Sequence, residues 1–282
     1  MTASVRLDGV SFRYPTEERP AVSGLTLDLE RGRITWIMGQ LGAGCSTLLH
    51  VVAGLAPRLT GGTRGGTVLT LGVDPATVEG RRALAGRIGY VTASPHLQLS
   101  GLASTVAEEA AFGPANMAWP IERIRPAVAD ALATLGIAHL ADRPPVALSG
   151  GELQRAVLAS MLVLAPDLWL LDEPAAPLDG AGREVFTRLL RAEASRGATV
   201  VIASEEADLL CQVADRLLVL RGGRVVLDGP PAAILAGEPV WEAGAGSTAI
   251  AALAREARRI EPGLFEPPYP LTVEEGVARW SR

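Results

Sequence analysis

Short apolar runs bounded by turn residues alternate with longer stretches of helical period along this chain. Residues 5–14 and 25–29 read as strands, separated by a polar loop that holds Pro15 and Pro20. A third run, Ile34, Thr35, Trp36, Ile37 and Met38, leads through a glycine-rich turn into residues 48–53, which read as a helix. Residues 61–66 carry four glycines and predict a flexible turn ahead of a short strand at 67–71; residues 88–91 predict another, broken by Ser94 and Pro95. Between residues 100 and 165 the period becomes helical, with amphipathic helices expected at 121–135 and 153–164. A buried strand at 168–171, a helix at 183–195 and a buried strand at 199–202 follow. Strands alternating with helices predict an α/β fold with a largely parallel sheet covered on both faces. Residues 216–220 and 224–227 flank Gly222 and Gly223, the signal of a tight hairpin. Beyond Gly229, Pro230 and Pro231 the pattern weakens. Residues 236–282 read as an appendage with one helix at 248–259.

Composition narrows the functional classes. A chain of 282 residues forms one large domain or two small ones, and 48% hydrophobic with 20% charged residues is ordinary globular usage. A net charge of −5 and a pI near 5.4 argue against a general nucleic-acid binder. The first fourteen residues hold no apolar core of a signal peptide, and the apolar stretch at 158–171 is cut by Pro166 and Asp167. With two cysteines, Cys45 and Cys211, no disulfide framework is expected. A soluble cytosolic chain is the expectation.

Three motifs carry chemistry. The first is Gly39, Gln40, Leu41, Gly42, Ala43, Gly44, Cys45, Ser46, Thr47, set between a strand and a helix. Glycines let the backbone curl so that successive N–H groups point at one anion, and the helix start adds partial positive charge. Cys45 stands where such a phosphate loop carries lysine. The second motif is the apolar run at 168–171 ending in Asp172, Glu173 and Pro174. Asp172 is placed to hold a Mg²⁺ shell and Glu173 to polarise water; a solvated acidic turn is the plainer reading. The third is Leu148, Ser149, Gly150, Gly151, Glu152. It is either an anion-binding helix start or an ordinary N-terminal capping box of Ser149 and Glu152.

Together these motifs resemble the nucleotide-binding subunit of ABC transporters, over residues 4–235. The resemblance implies a P-loop ATPase core with a mainly parallel sheet and a β-rich N-terminal part at 1–92 and 166–235. It also implies an inserted helical subdomain at 93–165, with the small appendage at 236–282. ATP and Mg²⁺ are the implied cofactors. Gly39, Gly42, Gly44, Cys45, Ser46 and Thr47 would form the Walker A loop, and Ser46 with Asp172 the metal site. Glu173 closes Walker B, Asp179 lies in the D-loop, and Ser149, Gly150, Gly151 and Glu152 belong to the signature. Tyr14 matches the aromatic residue that stacks on adenine, or is a strand-end core tyrosine. The run from Thr105 to Asn116 is similar to the energy-coupling-factor type, whose members drive bacterial uptake of vitamins and metal ions, and the stretch from Pro268 to Gly276 also suits that group.

Three positions depart from that pattern. Cys45 replaces the Walker A lysine, Ala93 the Q-loop glutamine, and Glu205 the switch histidine. A charge-assisted hydrogen bond contributes about 1.5–3 kcal/mol, so loss of the lysine weakens nucleotide binding by roughly ten- to a hundredfold. Glu205 would repel the γ-phosphate. Cys45 at a helix start is either an acidified thiolate or a neutral buried thiol, and the neutral thiol is expected. The chain's own site is therefore expected to be hydrolytically dead or very slow. ABC subunits dimerise head to tail, so a second ATPase subunit with an intact Walker A would make a working site against this chain's signature. The other implied partners are integral membrane subunits and a substrate-binding membrane component, with no nucleic acid. The implied location is peripheral, on the cytoplasmic face of the membrane. The competing reading is a non-catalytic scaffold or regulatory subunit.

Overall fold

The computed structural model describes residues 3–280. Strands β1 (Ala3–Arg13) and β2 (Val22–Glu30) are followed by β3 (Ile34–Gly39), helix α1 (Cys45–Val52) and β4 (Thr63–Thr70). Helix α2 (Val78–Leu84) and strand β5 (Ile88–Val91) precede three helices, α3 (Val106–Asn116), α4 (Ile121–Thr134) and α5 (Gly150–Leu162). Then come β6 (Leu168–Asp172), α6 (Gly180–Ser195), β7 (Thr199–Ala203), α7 (Ala207–Leu210) and the hairpin β8 (Arg216–Arg221) and β9 (Arg224–Gly229). Helices α8 (Pro231–Leu235), α9 (Pro239–Glu242), α10 (Ala249–Ile260) and α11 (Val273–Trp280) complete the chain.

The strands form two sheets. β2, β1 and β4 make an antiparallel sheet, and the larger one runs β5-β6-β7-β3-β8-β9. All pairs of the larger sheet are parallel except β8 with β9. Its apolar runs are buried on both faces, and their period of two divides them between two cores. Trp36, Trp169, Leu171, Val200 and Ile202 join the core shared with α4, α5 and α6. Ile37, Leu168, Leu170, Val201 and Leu218 join the core shared with α1 and the antiparallel sheet. Gly222 and Gly223 both take positive φ, 55° and 75°, as a tight hairpin turn requires.

Three expectations change. The glycine-rich segment is not a free turn: Thr63, Arg64 and Gly65 pair with Arg13, Phe12 and Ser11, so β4 starts within it. The neighbouring edge of β1 recruits these residues by ladder hydrogen bonds that no local pattern reveals. Gly66, at φ 76°, sits where a Cβ would lie 2.5 Å from the carbonyl oxygens of Asp8 and Gly9, so the strand passes there only with glycine. Helix α5 starts three residues earlier than its apolar period, because Ser149 caps it. The appendage holds α9 and α11 in addition to α10, and Tyr269 ties it to the end of α8, its N–H donating to the Ala236 carbonyl at 2.7 Å. Ala251, Ala254, Phe265 and Tyr269 form a small core of their own.

Candidate nucleotide site

Parallel strands point their C-terminal ends the same way, and β3, β6 and β7 deliver three chain segments to one edge of the sheet. The loop after β3 curls over the start of α1. Gly44 caps that helix at φ 103°, and a Cβ there would lie 2.2 Å from the Ala21 carbonyl oxygen. Gly42 is likewise at positive φ, 82°, and Leu41 at the tip is fully exposed. Gly39 has no room for a side chain, since a Cβ would lie 2.6 Å from the Leu220 carbonyl oxygen. The loop, Tyr14, Asp172, Glu173, Ala93 and Glu205 line one cleft of about 610 Å³, a volume that suits a nucleotide-sized ligand.

Electrostatics in the cleft are one-sided. Burial, reinforced by Asp172, pushes the Cys45 thiol up to about 12, so it is neutral at pH 7 and the thiolate alternative is set aside. Burial also raises Asp172 and Glu173 above the usual carboxylate range. Ser46 Oγ donates to Asp172 Oδ1 at 3.0 Å, bringing a hydroxyl and a carboxylate together. Glu173 has φ 46°, a left-handed conformation costly for a side-chain-bearing residue. Ser204 Oγ donates to Glu173 Oε2 at 2.8 Å, holding that carboxylate against the end of β7. Tyr14 hydrogen-bonds Thr47 through its hydroxyl at 3.1 Å and sets its ring edge-on to Phe12. Tyr14 packs against the core and also lines the cleft.

The third motif lies away from this cleft. Ser149 and Gly150 are exposed at the start of α5. The capping box is formed: Glu152 N–H donates to Ser149 Oγ at 3.4 Å, and Ser149 N–H donates to Glu152 Oε2 at 2.8 Å. Those bonds to Ser149 hold Glu152 below the usual carboxylate range. Asp179 caps α6 by accepting from Gly182 N–H at 2.8 Å. The two regions touch, for a Cβ on Gly151 would lie 3.1 Å from the Pro177 carbonyl oxygen.

Comparison with known proteins decides the family. The family model described as "ABC transporter" matches residues 22–176. This chain belongs to the ABC transporter family. The nickel import ATP-binding protein NikO of Rhodobacter capsulatus is 41% identical over 243 residues, covering 84% of this chain and 92% of that protein. The energy-coupling factor transporter ATP-binding protein EcfA1 of Symbiobacterium thermophilum is 38% identical over 238 residues, 81% of this chain and 80% of that one. Several other relatives are longer, and the chain spans 38–56% of their length. Among solved structures, CbiO1 from Clostridium perfringens, part of the ABC transporter complex CbiONQ, superposes with a TM-score of 0.72 at 28% identity. That match covers 93% of this chain and 97% of CbiO1.

ABC ATPases bind ATP, generally with Mg²⁺. Among the described residues no group of three or more His, Cys, Asp or Glu converges to hold a metal by itself. Ser46 and Asp172 fit a hard cation that completes its shell with nucleotide phosphates and water, the usual habit of Mg²⁺. There the ion would neutralise phosphate charge. Among the described residues no helix is long and apolar enough to cross a membrane.

Three polar residues that line the cleft, Ser204, Arg19 and Glu17, escaped the sequence reading of this ABC ATPase. Ser204, buried just before Glu205, is the direct partner of Glu173; its position at a strand end was the available signal. Arg19 lines the cleft from the loop between β1 and β2, where sequence offered only a polar loop. All 26 Lys and Arg residues of the chain are in fact arginines, so no lysine exists anywhere to serve the site.

Proposed function

We propose that this chain is an ATP-binding subunit of an energy-coupling-factor-type importer, bound peripherally at the cytoplasmic face of the membrane, and the degenerate half of a heterodimeric ATPase. The observation that carries the reading is the contrast between its two half-sites. In the cleft, Cys45 is a neutral thiol among Asp172, Glu173 and Glu205, where hydrolysis needs cationic and donor groups around the γ-phosphate. At the start of α5, Ser149, Gly150 and Gly151 keep the whole signature, accessible and preorganised by the capping box. A partner with intact Walker A, Q-loop and switch residues brings ATP to that surface. There Ser149 hydroxyl and the backbone N–H groups of the α5 start bind the γ-phosphate, while Asp179 steadies the shared boundary. The chain's own loop, with Gly39, Gly42, Gly44, Ser46 and Thr47 intact, retains a weaker nucleotide site with Tyr14 against the base.

The relatives support import of a small cofactor or ion. NikO is named for nickel and EcfA1 for an energy-coupling factor transporter, so a vitamin or metal ion is the cargo class, delivered through separate membrane subunits and a substrate-binding component. A non-catalytic scaffold is the second reading, favoured by the three degenerate positions. Steady-state ATPase of the complete heteromeric complex separates them. A signature variant, Ser149→Arg, silences a donor subunit's partner and leaves a scaffold's complex unaffected.

A further inference from the structure

Four carboxylates, Glu17, Asp172, Glu173 and Glu205, line the cleft, and a cysteine stands on its turn where a lysine would serve a triphosphate. Arg19 is the one basic residue that lines it. Its loop is fixed against the phosphate-binding turn only two residues further on. Ala21 N–H donates to the Phe12 carbonyl at 2.8 Å, and the Ala21 carbonyl oxygen lies where a Gly44 Cβ would be, 2.2 Å away. Successive Cα atoms are about 3.8 Å apart, so the Arg19 backbone is within about 8 Å of that contact. The guanidinium forms no ion pair or hydrogen bond among the described residues, although Glu17 of the same loop lines the cleft too. Arg64 and Arg216, by contrast, each hold an aspartate through two hydrogen bonds.

We propose that Arg19 is the phosphate-binding cation of this site, supplying from the loop before β2 the positive charge that position 45 does not. The inference rests on the reading of the Cys45 turn as a phosphate cradle. A guanidinium is suited to the task, since its planar fork grips phosphate oxygens in pairs and stays charged at any physiological pH. Placed at the cleft rim, it offsets the charge of Asp172, Glu173 and Glu205. It permits binding without restoring the hydrolytic geometry of a lysine on the turn itself.

Calorimetric titration of the full chain with ATP and Mg²⁺ tests this, with adenosine as the uncharged comparison. Arg19→Ala and Arg19→Gln should each weaken ATP binding by about tenfold and leave adenosine within about twofold. Arg82→Ala, at another exposed arginine, should change neither. In a Cys45→Lys background the same Arg19→Ala change should weaken ATP binding by less than about threefold, because the new ammonium takes over the charge. An ATP loss under about fivefold in the native background, or an equal loss for adenosine, overturns the proposal. So does the absence of any ATP binding by the unmodified chain. None of these results touches signature donation, which the ATPase of the heteromeric complex reads separately.

Discussion

The hydroxyl of Ser204 donates a 2.8 Å hydrogen bond to Glu173 Oε2, joining the residue before the switch position to the last acidic residue of Walker B. Glu206 N–H donates in turn to Ser204 Oγ at 3.2 Å. Glu173 is therefore held by the end of β7, with the Glu205 carboxylate beside it instead of a histidine donor. Burial is the main reason its proton is held more tightly than usual, and the charges of Asp172 and Glu205 add to it.

A stability consequence follows from that raised value. The folded state binds a proton that the unfolded chain releases, so stability falls as pH rises from the ordinary glutamate range through the folded value. Glu173→Gln keeps an acceptor for Ser204 and removes the buried charge. It should raise the thermal midpoint by roughly 1–3 °C near pH 8 and give no gain near pH 4, where both states are already protonated. Scanning calorimetry at the two pH values is the check. A loss at the higher pH, or an equal gain at both, contradicts the assignment.

The isolated chain should hydrolyse ATP negligibly, since its own dimer would present only degenerate sites. Cys45→Lys should tighten nucleotide binding by roughly ten- to a hundredfold and leave turnover low, because Ala93 and Glu205 remain. Phosphate release and equilibrium binding on the same preparations measure the two effects. Robust turnover by the unmodified chain, free of contaminating ATPases, would refute the degenerate-site reading.

In the heteromeric complex the two half-sites should respond unequally. Ser149→Arg and Gly151→Asp place bulk and charge where partner-bound ATP must approach, and should lower ATPase by a factor of about a hundred or more. A Cβ at Gly151 already comes within 3.1 Å of the Pro177 carbonyl, so Gly151→Asp is to be paired with a thermal melt to verify folding. Glu173→Gln should lower the rate by less than about twofold. If Glu173→Gln is as damaging as Ser149→Arg, this chain's own cleft performs chemistry.

Leu97 and Leu102 are 83% and 78% exposed in the segment that follows β5. Exposed apolar side chains suit a protein contact, and we propose that this segment docks the membrane subunit. Leu97→Asp with Leu102→Asp should abolish co-purification with the membrane subunit while shifting the thermal midpoint by less than about 2 °C. Undiminished co-purification and transport would move the contact elsewhere.

Most of the architecture was legible in the chain because its determinants are local. The run before Gly39, the strand ending in Asp172, the buried run 199–202 and the Gly222-Gly223 turn each carry their conformation in a few neighbouring residues, and β3, β6, β7 and the β8–β9 hairpin lie where those signals put them. The family signature was equally local. The capping box of Ser149 and Glu152 formed as its spacing requires.

What only the tertiary structure decided depends on neighbours distant in sequence. The start of β4 was set by the edge of β1, the appendage by contacts such as Tyr269 with Ala236, and Ser204 became a partner of Glu173 across 31 positions. The sequence favoured a neutral Cys45 but could not establish it, because a helix start favours thiolate and only burial opposes it. Packing beneath the turn, next to Asp172, made the thiol neutral. Arg19 came to line the cleft from a loop whose Ala21 packs against Gly44. A sequence specifies which groups exist and their local backbone preferences; the dielectric around a thiol and the charge facing a cleft arise only when remote segments exclude water together.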